Sequence, residues 1–338
     1  MNVDTPAPDA DWRPTATRAR LEWRATALRT VRRFFDDRGV LEVDTPLVVN
    51  AGVTDVHIHS VRVDLGTGKP MFLHTSPEYA MKRLLAAGCG DIWQCCHVAR
   101  GFEASRLHNS EFTLIEWYRL GVSLDGLMDE VEALARAVLG PAAAGRATER
   151  LSYREAFLRH TGLDPLTAGE AELLQAVQPL GYRPQTSPQA GAGQTPAGPL
   201  RDELLELLMG AVIGPQLGQG GFTFIHGYPA SQAVLARLDP ADPRTARRFE
   251  LYGNGIELAN GFHELADADE QRARFLADGA ERRRLGLPQM QPDERLLAAL
   301  AQGLPDCAGV AVGFDRLLML ATGSRDISEV LAFPTERA

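Results

Sequence analysis

Apolar positions three and four apart along residues 15–38 (Leu21, Leu28, Val31 and Phe35) predict a helix that stops at Gly39, which can take the left-handed backbone of a helix end. Val40-Leu41-Glu42-Val43 reads as a strand ending before Pro46. Strands near 61–63 and 72–74 flank Gly66-Thr67-Gly68, a hairpin signal. Ser76-Pro77-Glu78 supplies a hydroxyl cap, a first-turn proline and an acid at the positive end of the dipole, so a helix runs through Met81, Leu84 and Leu85 to Gly88. Strands are predicted at 92–95 and 112–118, helices over much of 125–180, and strands again at 222–225 and 249–264. Two helices, a glycine-punctuated strand at 309–313 and a last helix from Phe314 complete the chain. Hairpins with interspersed helices, not alternating βαβ units, make the expected class α+β.

Residues 1–14, rich in Pro, Ala and Asp, read as a loose tail, and 184–199 as a flexible surface insertion. No apolar run reaches the length of about 18 residues that a membrane span needs. Cys89, Cys95, Cys96 and Cys307 show no Cys-x-x-Cys spacing, so reduced thiols in a cytoplasmic protein are expected. Acids outnumber bases by nine (44 against 35), which argues against a broad nucleic-acid-binding surface.

The candidate chemistry lies on three strands. Alternation puts Phe112, Leu114, Glu116 and Tyr118 on one face, able to stack a flat ring and hold a cation. A solvated Glu116 fits the same alternation and is the commoner arrangement. In Phe249 to Glu257 a Gly-Asn-Gly turn makes a hairpin. With a Gly253-Asn254 loop, Glu250 and Glu257 face each other; with Asn254-Gly255 they sit diagonally. Like charges so close call for a cation, and magnesium shared with nucleotide phosphates would serve; two solvated edge acids fit equally. Asn260, Phe262 and Glu264 share parity, and Gly261 between them suggests a bulge or a close backbone approach.

In order along the chain, these segments resemble class II aminoacyl-tRNA synthetases of the lysine-specific kind. Residues 34–46 resemble motif 1, the dimer-forming helix, strand and proline. Arg100 through Tyr118, with His108-Asn109 and Glu111-Phe112-Thr113, resemble motif 2, and Gly309 to Arg316 motif 3. Thr75 to Tyr79 and Glu257 to Glu264 are similar to lysine-pocket segments. The family usually carries an anticodon-binding barrel ahead of the catalytic domain, and only about 14 residues precede the first helix here. Residues 15–338 are therefore expected to form one synthetase-like catalytic domain. Within the family, Ser76-Pro77-Glu78-Tyr79, Pro305-Asp306-Cys307 and Gly309-Val310-Ala311 are similar to the branch that joins β-lysine to a lysine of elongation factor P.

The resemblance implies a fold built on an antiparallel sheet flanked by helices, with ATP as substrate, Mg²⁺ as cofactor and a homodimer. Arg100 and Arg316 are the implied catalytic pair, gripping the α-phosphate and flanking adenine opposite Phe112. His108 and Asn109 fall on the ATP side, and Glu250 and Glu257 are the implied metal ligands. Ser76, Glu78, Glu116, Tyr118, Asn260, Glu264 and Ala311 are implied to bind lysine or β-lysine, Ala311 replacing the synthetases' glycine. Phe102 stands where motif 2 carries an acid, with Glu103 one position later. Elongation factor P is the implied acceptor, and tRNA an unlikely one given the charge. The alternatives are a truncated lysyl-tRNA synthetase-like enzyme and a catalytically silent lysine-binding relative.

Overall fold

A computed structural model describes residues 12–182 and 200–338. Of the expected tail only 12–14 fall within these residues, and the expected insertion at 184–199 lies outside them. The first helix, α1 (Arg18–Asp36), is capped by Thr17, whose hydroxyl accepts from the Arg20 amide at 3.4 Å. Then come β1 (Leu41–Glu42), β2 (Val48–Val49), β3 (Arg62–Val63) and β4 (Met71–Leu73). The helix α2 (Glu78–Ala86) starts where the Ser76 hydroxyl accepts from the Glu78 amide at 3.0 Å. It leads to β5 (Ile92–Ala99), β6 (Glu111–Leu120) and α3 (Leu124–Leu139).

The region expected to be helical holds a further strand, β7 (Thr148–Ser152), before α4 (Tyr153–Thr161) and α5 (Glu170–Val177). Thr148 to Ser152 is mostly polar because it is an edge strand, so the apolar alternation that marks a strand is missing. The signal that was present is the Ser152–Glu155 capping box, which fixes the start of α4. Another helix without a sequence expectation, α6 (Leu200–Leu208), precedes β8 (Phe222–Pro229), β9 (Thr245–Gly253) and β10 (Ile256–His263). The chain then forms α7 (Ala268–Arg284), α8 (Glu294–Gly303), β11 (Cys307–Gly313) and α9 (Phe314–Thr322).

Eight strands make one sheet in the order β1-β5-β6-β11-β10-β9-β8-β7, and β2-β4-β3 form a small second sheet. Only the two end pairings, β1 with β5 and β7 with β8, are parallel. The remainder is antiparallel, in keeping with the expected α+β class.

Register divides the residues of this sheet between two faces. Trp93, Trp117, Val310, Gly261 and Phe249 are successive cross-strand partners. That row packs with Phe35, Leu134, Phe314 and Leu318 into the main core under α1, α3 and α9. One residue along, Gln94, Glu116, Ala311, Asn260 and Glu250 form the neighbouring row, which faces the other way. A buried network fastens the core-side helices to the strands. Asp315 accepts from the Arg24 guanidinium and from the Thr113 amide (2.7 Å), and Arg24 also donates to the Thr113 hydroxyl (2.7 Å). The first helix and the motif 2-like and motif 3-like segments thus meet at one carboxylate.

Among the described residues no helix is long and apolar enough to cross a membrane. The four cysteines are unpaired.

Gly261 is a close backbone approach, one of the two outcomes its place in the strand suggested. A β-carbon there would lie 2.4 Å from Phe249 Cζ and 3.1 Å from the Gly309 carbonyl oxygen. An aromatic ring packed in the core cannot step aside, so Gly261→Ala should destabilise by about 1–3 kcal/mol through overpacking. Thermal unfolding checks this: a Tm equal to the parent's would show that the Phe249 ring yields freely.

Candidate active site

The second face of the sheet opens into a cavity of about 820 Å³. Every site residue singled out from the sequence lines it, from Ser76 and Glu78 on one side to His108, Glu257 and Arg316 on the other. The residues come from β6, β9, β10 and the residue after it, β11, the starts of α2 and α9 and the β5–β6 loop, so sheet register assembles most of the site.

At one end the acids are buried. Glu116 is 2% exposed, and its carboxylate accepts from the Ser76 hydroxyl at 2.7 Å and the Tyr118 hydroxyl at 2.6 Å. The solvated alternative for Glu116 is thereby overturned: the strand is covered on both faces. Burial, reinforced by the charge of Glu78, pushes the Glu116 carboxyl up to about 8 despite those two hydroxyls. Ser76 does two tasks, since the oxygen that accepts from the Glu78 amide ahead of the Pro77 cap of α2 also carries the proton donated to Glu116.

Glu264, 1% exposed, stands just beyond β10, and burial pushes it up to about 7 against the pull of Lys82. Glu78 and Glu264 share that lysine, whose Nζ lies 2.7 Å from Glu78 Oε1 and 2.6 Å from Glu264 Oε2. Gly309 makes room for this cluster. A β-carbon on it would come within 2.3 Å of the Tyr118 ring and 2.5 Å of Glu264 Oε1. Ala311, its neighbour on the same face, lies between Glu116 and Asn260 in register, so its methyl forms part of the floor.

The other end carries an aromatic ring and cations. The Arg100 guanidinium lies over Phe112, 5.0 Å from the ring centroid, and its Nε donates to the Thr75 carbonyl at 3.3 Å. Arg316 sits apart from that ring. It donates to the carbonyls of Glu257 (3.1 Å) and Leu107 (3.3 Å) and to His108 Nε2 (2.7 Å). Arginine can only donate, so His108 Nε2 is the acceptor, and the ring is neutral with its proton on Nδ1 toward Ser105 Oγ, 2.8 Å away. Burial and the neighbouring Arg316 both hold His108 below its ordinary pKa. Asn109 lines the cavity with both amide atoms engaged, Nδ2 with the Glu111 carbonyl (2.6 Å) and Oδ1 with the Thr335 amide (3.0 Å). Glu103 lines the cavity as well. Phe102 does not: it is 93% exposed, has φ of 63° and meets only the His59 ring edge-on. The loop geometry therefore turns the acid inward and the phenyl outward.

The hairpin loop is Asn254-Gly255, with φ of 50° and 74°, both positive as a two-residue turn of this kind requires. A bulge at Leu258 then shifts the register, so Glu250 faces Asn260 and Glu257 faces Tyr252. The two acids are diagonal, as in the second of the two alternatives. Glu250 is tied to Arg248 (2.5 Å) and to the Tyr252 hydroxyl (2.6 Å). Glu257 has only a long contact to Arg316, 3.5 Å, and 40% of its side chain opens to the cavity. Its partial burial and the nearby charge of the diagonal Glu250 both raise its pKa. A divalent cation would offset that repulsion, and a pair of carboxylates suits Mg²⁺ completed by phosphate oxygens and water.

Two residues of this site carried no sequence expectation of their own. Lys82 lies four residues after Glu78, and that ion-pair spacing on an apolar helix face was the available signal. Arg248 shares strand parity with Glu250; it reaches Glu250, Asn260 (3.2 Å) and the Gln232 carbonyl (2.8 Å), its guanidinium 4.2 Å from the Tyr228 ring centroid.

Residues 7–337 match the family described as tRNA synthetases class II (D, K and N). The chain is similar to the elongation factor P–(R)-β-lysine ligase of Vibrio cholerae serotype O1, 48% identical over 98% of this chain and 99% of the relative. It resembles the ligases of the same name from Edwardsiella ictaluri (47%) and Klebsiella pneumoniae (46%), each over 97% of this chain and 99% of the relative. The chain belongs to the class II tRNA synthetases of the D, K and N group, among relatives named as elongation factor P–(R)-β-lysine ligases.

Proposed function

We propose that the chain activates a diamino acid, (R)-β-lysine foremost, with ATP and transfers it to a lysine of elongation factor P. One observation carries the substrate class. Glu78, Glu116 and Glu264 converge at one end of the cavity against a single paired lysine, Lys82. When all three are ionised, two negative charges stay uncompensated, and a substrate with two ammonium groups supplies the balance. The relatives' shared name supports the choice of isomer and of acceptor.

The chemistry follows from the cavity's two ends. Phe112 offers a face for adenine, with Arg100 already over that ring. Arg100 and Arg316 stabilise the charge that builds on the α-phosphate as the substrate carboxylate attacks and pyrophosphate leaves. Neutral His108 and Glu103 lie toward the outer phosphates. Glu250 and Glu257 would hold Mg²⁺, which supplies charge neutralisation at the phosphates. Ser76 and Tyr118 orient Glu116 toward one substrate ammonium, and Asn260 with Ala311 bounds the carbon chain. The acceptor amine then attacks the acyl carbon, loses its proton and displaces AMP. No protein nucleophile is required.

The raised Glu116 predicts a pH dependence. Folded Glu116 keeps its proton to about pH 8, whereas an unfolded carboxyl loses it near 4.5, so its contribution to stability declines as pH rises between these values. An ammonium bound at Glu116 removes that penalty. The KM for β-lysine should therefore fall as pH is raised from about 6 to about 8, while Glu116→Gln raises KM at least about tenfold and makes the profile shallower, leaving the part set by Glu264. Pyrophosphate exchange measures both; a Gln variant with the parent's KM and profile would remove Glu116 from the pocket.

The homodimer is also part of this proposal. It is supported by residues 21–46, where β1 is an exposed edge strand with Leu41 54% exposed. Light scattering at micromolar concentration should give twice the chain mass; a monomer mass would reject the interface.

For the acceptor, the enzyme is incubated with ATP, Mg²⁺ and labelled β-lysine together with either elongation factor P or lysine tRNA. A net charge of −9 disfavours the polyanion, because phosphate contacts from Lys and Arg supply much of tRNA affinity. Label is expected on the protein factor, and Glu257→Ala, folded as the parent is, should label neither. Label on tRNA at an equal or higher rate would replace this reading with a tRNA-charging one.

A further inference from the structure

Lys82 is 1% exposed and does not line the cavity, yet it contacts two acids that do. It projects from α2 against Glu78 and Glu264 and, unlike them, lines no part of the cavity. A lysine so deep in protein costs several kcal/mol to desolvate, and replacing a whole buried ion cluster by well-packed apolar side chains is often neutral or stabilising, whereas removing the lysine alone leaves its acids unpaired. Fold stability alone therefore gives no reason for an ion cluster at this position. What the cation does is electrostatic. Burial lowers its pKa, and the nearby carboxylates of Glu264 and Glu78 more than reverse that, raising it above the ordinary lysine value. In return, its charge opposes the protonation of Glu264.

The titratable and charged groups around this cluster come from several elements. Glu78 shares α2, Glu116 and Tyr118 come from β6, Glu264 follows β10, Cys307 opens β11, and Arg237 acts on Glu264 from the segment after β8. Within this set Lys82 is the cation in ion-pair contact with two carboxylates at once. Arg237 reaches only the Glu264 backbone carbonyl, at 3.3 Å, and pairs with Asp306 instead.

We propose that Lys82 is a positioning residue for substrate specificity: a fixed internal cation whose ion pairs hold Glu78 and Glu264 aimed into the cavity, and so set the site's demand at two substrate ammonium groups. This rests on the diamino-acid reading above. Without Lys82, Glu264 keeps its proton to higher pH and loses its grip on a substrate ammonium.

The test uses the full chain as Lys82→Met and as the double variant Lys82→Met/Glu264→Gln, with two readouts. The first is thermal stability against pH without substrate. The single variant should lose stability more steeply than the parent as pH rises from about 6 to about 9, because Glu264 must then ionise unpaired. The double variant should recover most of that loss. The second readout is substrate-dependent pyrophosphate exchange. The single variant should show a KM for β-lysine raised at least about tenfold with kcat within about threefold, and the improvement of KM with pH should move up by about one unit. A loss of stability equal at every pH and not recovered in the double variant would mark Lys82 as packing only and overturn the proposal. So would a single variant with the parent's KM and pH profile. Should the parent itself show no exchange with any diamino acid, the substrate reading falls, and the stability profile still decides whether Lys82 holds Glu264 charged.

Discussion

Strand register is the constraint on which the site depends. Gln94, Glu116, Ala311, Asn260 and Glu250 are neighbours only because β5, β6, β11, β10 and β9 pair with one particular alignment. A slip of one residue would carry Glu116 into the core and Trp117 into the cavity, an exchange unfavourable at both places. The apolar row of Trp93, Trp117, Val310 and Phe249 therefore fixes the polar row beside it. Core packing and site geometry are two consequences of one alignment.

The glycines on β10 and β11 serve both faces. Gly261 admits the Phe249 ring on the core side, and Gly309 admits the Tyr118 ring and the Glu264 carboxylate on the cavity side. The bulge at Leu258 offsets Glu257 from Glu250, leaving the two acids diagonal with one already held by Arg248 and Tyr252. On the far side of the sheet the Arg24–Asp315–Thr113 network locks α1, α9 and β6 together. The cavity-lining residues of β6 thus rest on a scaffold with its own polar fastening.

Burial changes what the acids at the Glu116–Glu264 end of the cavity can do. A surface glutamate would be ionised at neutral pH whatever its neighbours; Glu116 and Glu264 are pushed up to about 8 and about 7. Their charge is therefore conditional on a cation nearby. Lys82 provides one permanently and a bound ammonium would provide another, so recognition and ionisation are linked.

The sequence by itself determined most of the element order and the parity of Phe112, Glu116 and Tyr118 and of Asn260 and Glu264, and narrowed Gly261 to a bulge or a close approach. These are local: hydrophobic period, capping residues and turn chemistry act over a few residues and can be read from them. It did not reveal β7, a polar edge strand whose pairing to β8 is non-local. It left open whether Glu116 was solvated, because alternation gives the side of a strand and not what covers it. Only the tertiary structure decided which hairpin alignment placed Glu257, that Glu103 turns inward while Phe102 points outward, and that Lys82 and Arg248 belong with the acids. Each of those outcomes depends on contacts between segments far apart in the chain, where register, bulges and burial fix the positions of charges that no local pattern records.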